Sequence, residues 1–155
     1  MDWVFSAFLV ASMLHMIEEY FYPGGFMETM KQLNPRFAPF VTVPMAVIVN
    51  GMQLVLCMLV MLVGRNVLAF SLSVAALLFI NAWAHILGSI RGKGYVPGII
   101  TGLVLYLPLS IYAYYLFVNS GELVLNQIVV TVVLGLIYQA VPIGYFVVAS
   151  SARRA

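Results

Sequence analysis

Five windows of about twenty residues, almost uninterrupted by charge, limit the fold of this chain more than any other feature of its sequence. Wound into an α-helix, a run of that length matches the hydrocarbon core of a bilayer, about 30 Å thick. The windows fall at 3–21, 40–63, 67–90, 98–118 and 123–149. Breakers stand between them: Pro23-Gly24-Gly25 with Asn34-Pro35, then Gly64-Arg65-Asn66, Arg91-Gly92-Lys93-Gly94 and Asn119-Ser120-Gly121-Glu122. Only 8% of the residues are charged and 64% are hydrophobic, whereas a soluble domain is about a quarter charged. The runs are too long, and too little alternating, for the strands of an outer-membrane barrel. The sequence therefore predicts one all-α integral membrane domain over 1–155, a bundle of five transmembrane helices.

Charge placement predicts the orientation. Lys31 and Arg36 lie in the first loop, Arg91 and Lys93 in the third, and Arg153 and Arg154 in the tail, while Arg65 stands alone on the other side. By the positive-inside rule this predicts an outside N-terminus and a cytoplasmic C-terminus, in an inner (cytoplasmic) membrane. The first window is read as a retained span and not as a signal peptide. Its only early charge is Asp2, and two glutamates stand where a cleavage site needs small residues. The single Cys57 excludes an intrachain disulfide. No basic run with interleaved aromatics speaks for nucleic acid. The expected partners are membrane lipid and a hydrophobic small molecule, with a homo-oligomer left open; no GxxxG motif marks a dimer face.

Against this background the polar residues stand out. His15, Glu18 and Glu19 fall at i, i+3 and i+4 in the last turns of the first window, so they share one helix face. Asn81 and His85 do the same near the end of the third. Both groups belong to the cytoplasmic half, and their meeting would assemble two imidazoles, two carboxylates and an amide. Asn50 and Gln53 on the second window and Gln139 on the fifth lie at depths that make them candidate lining residues. A carboxylate at the bilayer centre is disfavoured by roughly 2.5–3.5 kcal/mol. A metal ion, the Arg91 guanidinium or a shared proton could each offset that.

Three readings of the cluster follow: a structural strut, a metal site, and a metal-free acid–base or ligand site. His15, Glu18, Glu19 and His85 are ligand types that suit one divalent zinc, iron or manganese ion, and the carboxylates are too few for a di-iron centre. As catalytic groups, Glu18 or Glu19 would serve as general base or acid, with His15 or His85 as partner and Asn81 beside them. Arg91 and Tyr95, with Asn50 and Gln139, are the candidate substrate contacts. For Arg91 the alternative is simple interfacial anchoring.

The pieces His15-Met16-Ile17-Glu18-Glu19, Asn81-Ala82-Trp83-Ala84-His85 and Tyr95-Val96-Pro97-Gly98, in this order, resemble the HXXEE domain family of small bacterial membrane proteins. The resemblance extends over roughly 3–116. That family is defined by its motifs and not by a reaction, so the resemblance implies a site at His15, Glu18, Glu19, Asn81, His85, Tyr95, Pro97 and Gly98 and no particular activity. The endings Tyr22-Pro23-Gly24 and Tyr95-Val96-Pro97-Gly98 also hint at a duplicated hairpin, against which stands the plain reading of two tight turns. The function expected is a membrane-embedded enzyme that isomerises, cyclises or hydrolyses a hydrophobic or lipid-like substrate. The alternatives are a proton- or cation-coupled transporter built on the same residues and a scaffold or accessory subunit.

Overall fold

Each apolar window winds into a helix, because a backbone with no water around it must satisfy its N–H and C=O groups within the segment. The computed structural model describes residues 3–22, 25–36 and 38–152, and among these there is no strand. Helix α1 is Trp3–Phe21, α2 the short Phe26–Leu33, α3 Val43–Val63 and α4 Leu68–Gly92. Helix α5 runs Ile99–Asn119 and α6 Leu125–Ala152. Three stretches, Trp3–Phe21, Val43–Gly92 and Ile99–Asn119, are long and apolar enough to cross a membrane, the second broken by a 3-10 turn at Gly64–Val67. Leu125–Val141 is a shorter apolar segment at the start of α6.

Local chemistry sets the boundaries. Thr42 caps α3 by accepting a hydrogen bond from the Met45 amide, and Pro44 occupies the first turn, where its missing N–H costs nothing. Helix α4 ends at Lys93, whose φ of 50° is left-handed, with the Ser89 hydroxyl donating to the Gly94 carbonyl. Within α5 the segment Gly102–Tyr106 is π-helical, directly ahead of Pro108. The proline ring lacks a donor and collides with the carbonyl four residues back, and the wider π turn relieves both problems.

Helix α4 packs most extensively along α6. The contact is close because Gly135 has no side chain: a Cβ there would stand 2.7 Å from Ala76 Cβ and 2.9 Å from the Leu77 amide. Helix α1 lies against α3, and α5 is held by α1 and α4. At one end of the bundle Phe5, Phe8, Phe117, Leu72 and Val60 form a fully buried apolar core, with Phe5 and Phe117 stacked at 5.7 Å. Outward-facing Val47, Ile48, Leu62, Ile111 and Val130 are each more than half exposed. Such faces are stable against lipid and not against water.

The region between α1 and α3, read from the sequence as a loop, differs from expectation by containing α2. Phe26, Met30 and Leu33 line one face of that helix, and Leu33 packs on the bare backbone of Gly88 and Gly92 in α4. This brings α2, the C-terminal ends of α1 and α4 and the N-terminal end of α5 to the same end of the bundle. Pro23 and Gly24, half of the suspected hairpin repeat, and Arg153 and Arg154 lie outside the described residues.

Candidate functional site

Glu18 and Glu19 are neighbours in sequence, and a helix turns about 100° between them. They consequently meet different surroundings. The Glu18 carboxylate reaches the start of α5 and accepts four hydrogen bonds. The Tyr95 hydroxyl (2.6 Å) and Ile100 amide (3.0 Å) donate to Oε1, and the Thr101 amide (2.7 Å) and hydroxyl (2.6 Å) donate to Oε2. The first N–H groups of a helix have no partner inside it, and a carboxylate there also meets the positive end of the helix dipole. Glu18 is thus the cap of α5, supplied from 82 residues away. The Tyr95 phenol, pushed up from its ordinary pKa by burial and then by Glu18, stays a donor in this arrangement.

Glu19 turns inward. It is 2% exposed, and its Oε1 stands 3.5 Å from His15 Nε2 and 3.3 Å from His85 Nε2, with both imidazoles also buried. The rings are edge to face at 4.8 Å. One ligand atom from each of the three residues fits within a span of 4.8 Å. Gly98, at φ 95°, closes over the two rings: a Cβ there would lie 2.6 Å from His85 Cε1 and 2.7 Å from His15 Cε1. Only glycine accommodates both that backbone and that approach. The Tyr106 ring packs against His15, tilted by 32° at 4.5 Å, and the Phe26 ring of α2 stands 5.9 Å from His85.

A hydrogen-bond relay links the two carboxylates. The Thr101 hydroxyl has one proton, which it donates to Glu18, so its oxygen is left to accept from His15 Nδ1 at 2.8 Å. With Nδ1 carrying the proton, the Nε2 lone pair of a neutral His15 faces Glu19. Among the buried side-chain atoms, His15 Nε2, Glu19 Oε2, Asn81 Oδ1 and His85 Nδ1 have no hydrogen-bond partner. Buried polar groups are nearly always paired, and three orphans in one cluster, with a fourth on Asn81 one turn along α4, set this cluster apart from a packing layer.

The structure brings His15, Glu19 and His85 together, holds Glu18 and Tyr95 beside them through Thr101, and sets Asn81 one turn from His85. The remaining candidates stand apart. Arg91 is exposed in the last turn of α4 and makes no ion pair with either glutamate, so the carboxylates are offset by imidazoles and amides and not by the guanidinium. Asn50 Nδ2 donates to the Tyr20 hydroxyl at 2.5 Å. Gln139, half-buried on α6, makes no hydrogen bond with the cluster. Gln53 Nε2 donates to the Tyr106 hydroxyl at 2.6 Å. Tyr22 and Tyr95, from the two similar loop endings, meet ring to ring at 4.3 Å.

Thr101, Tyr106 and Phe26 belong to the site and were not legible as such in the sequence. A signal for Thr101 was present: it sits in the first turn after Pro97-Gly98, where hydroxyls and free amides gather.

An all-helical chain with membrane-length apolar helices and a buried His–Glu–His cluster at one end is thereby defined. The chain belongs to the family described as "protein of unknown function with HXXEE motif", whose sequence pattern matches residues 6–113. That match contains every residue of the cluster and ends inside α5. No curated protein and no solved structure matches the chain.

Proposed function

We propose that this protein is a membrane-embedded enzyme, crossing the bilayer five times with its N-terminus outside, that carries out acid–base chemistry at His15, Glu19 and His85. Its substrate is a hydrophobic, lipid-like molecule reaching the site from the cytoplasmic half of the bilayer. The single observation carrying this reading is the incomplete pairing of the buried cluster. A strut would close its hydrogen bonds, since each buried polar group left unpaired costs about 1–3 kcal/mol. The orphan atoms here sit on both sides of a carboxylate–imidazole contact, the arrangement that exchanges protons with a bound molecule.

The division of labour follows from the hydrogen bonds. Glu18 has both oxygens engaged and serves to position α5 and, through Thr101, His15. Glu19 keeps one oxygen free and is the proton acceptor, with an imidazole beside it to return a proton. Asn81 Oδ1 and His85 Nδ1, four residues apart on one face of α4, remain for a polar group of the substrate. Isomerisation, cyclisation and hydrolysis all use such a proton transfer. The transport reading needs a polar path across the bundle, whereas the far end is sealed by Phe5, Phe8 and Phe117.

The test compares hydrophobic metabolites, by untargeted mass spectrometry, in bacteria expressing the wild-type chain or Glu19→Gln, with circular dichroism to confirm that both are helical. At least one lipid-soluble species should be depleted, and another formed, only with the wild type. Identical profiles, together with proteoliposomes in which the wild type collapses an imposed proton gradient and the variant does not, would replace the enzyme by the transporter.

A further inference from the structure

We infer that His15, Glu19 and His85 form a site for one tetrahedral zinc ion, with Thr101 and Glu18 as its supporting shell. The inference rests on the reading of this cluster as functional and names the cofactor it takes. Its first support is the spacing. Charge-assisted N–H···O bonds run at about 2.7–2.9 Å, and both Glu19–imidazole distances exceed that, at 3.3 and 3.5 Å. Ligands about 2.0–2.1 Å from a tetrahedral zinc stand about 3.3–3.4 Å apart, by the geometry of the tetrahedron. An octahedral ion at about 2.1 Å would hold neighbouring ligands near 3.0 Å. Both edges are of about the length a tetrahedral zinc site requires and are longer than a six-coordinate ion would set. The imidazole–imidazole edge, no longer than 4.8 Å, is the one an ion would draw in.

The second support is the direction of the lone pairs. In the neutral His15 the relay from Thr101 puts the proton on Nδ1 and leaves the Nε2 lone pair facing a carboxylate oxygen, a contact that either a second proton or a metal cation between them makes favourable. A ligand histidine held at its other nitrogen by a hydrogen bond, itself tied to a carboxylate, is the usual support of a zinc site. His15, Thr101 and Glu18 make that chain through two hydrogen bonds. Two histidines and one carboxylate leave the fourth position for water or a substrate oxygen, which suits a catalytic and not a purely structural ion. Gly98, lying over both rings without a side chain, leaves the Cε1 edges uncovered by any Cβ.

The experiment uses the full chain purified in detergent through a tag without histidine, from cells grown with zinc, iron and manganese. Elemental analysis should find about one zinc per wild-type chain and less than a tenth of that in Glu19→Gln and His85→Ala. If those variants fail to fold, chelator-stripped wild type decides instead. Zinc should raise its melting temperature in a saturable way, and cobalt(II) should give the intense visible absorption of tetrahedral coordination. A wild type without zinc that responds to neither ion overturns the proposal, as does equal zinc in wild type and both variants. The failures separate cleanly: a metal-free chain that still converts a lipid sinks the zinc site alone, and a zinc-bound chain that converts none sinks the enzyme alone.

Discussion

Two buried polar layers lie one above the other in this bundle, and they share helix α1. The lower contains Ser12, Gln53, Cys57 and the Tyr106 hydroxyl; the upper contains His15, Glu19 and His85. Ser12, His15 and Glu19 occupy one face of α1 at helical spacing, so the layers share a wall. In the lower layer the groups find one another: Gln53 donates to Tyr106 at 2.6 Å, and Ser12 meets the Cys57 sulfur at 3.2 Å. In the upper layer three polar atoms, His15 Nε2, Glu19 Oε2 and His85 Nδ1, have no hydrogen-bond partner. Both layers are buried, so the difference lies in their hydrogen bonding. A satisfied layer specifies how helices register; under the function proposed above, the unsatisfied one receives a ligand.

Substitution at Gly98 tests that difference most severely. In Gly98→Ala the new methyl would press within 2.8 Å of both imidazoles, on a backbone at φ 95°. Left-handed strain of about 1–3 kcal/mol adds to overpacking of about 1–3 kcal/mol, for a loss of about 2–6 kcal/mol read by thermal unfolding in detergent. The upper layer should be emptied of function at the same time. An alanine variant with unchanged stability would mean that the loop does not close over the rings.

Replacing the α5 cap should do less, and should separate the layers' supports. Glu18→Gln keeps the shape but turns an amide NH2 toward the donors at Thr101. Hydrogen bonds to a charged group contribute about 1.5–3 kcal/mol, and a loss of that order is expected in unfolding measurements. Because His15 is oriented through Thr101, the variant should still bind zinc but about 10–100-fold more weakly, the usual effect of removing a supporting contact. Wild-type affinity in Glu18→Gln would show that the relay carries no orientation.

Much of the fold was legible because the bilayer allows so few solutions. The helices start and end within about three residues of the apolar windows, as at Val43 against 40 and Leu68 against 67. His15, Glu18 and Glu19 were readable as one helix face, and Asn81 and His85 as another, because helical spacing aligns each group. What spacing could not tell was which of two adjacent glutamates points inward, since both share an arc of the same face. That was decided by Tyr95, Ile100 and Thr101, more than 75 residues away, which claim Glu18 and leave Glu19 to the imidazoles. Helix α2 escaped for a different reason. Its eight residues are too short and too mixed for a membrane-length window, and it is held by Leu33 seating on two glycines of α4.

The smallest effect is expected in the lower layer, and it is the one that would most sharpen the contrast. Gln53→Leu removes the donor to Tyr106 while keeping the volume roughly constant. Hydrogen bonds between membrane helices contribute on average about 0.6 kcal/mol and at most about 1.7. The phenol left behind retains its ring contact with His15 at 4.5 Å, so the upper layer keeps its wall. Unfolding should therefore shift by about 1 kcal/mol, and the zinc content should remain at one per chain. If Gln53→Leu instead released zinc as completely as Glu19→Gln, the two layers would be a single network, and satisfaction of hydrogen bonds would no longer distinguish a packing group from a functional one here.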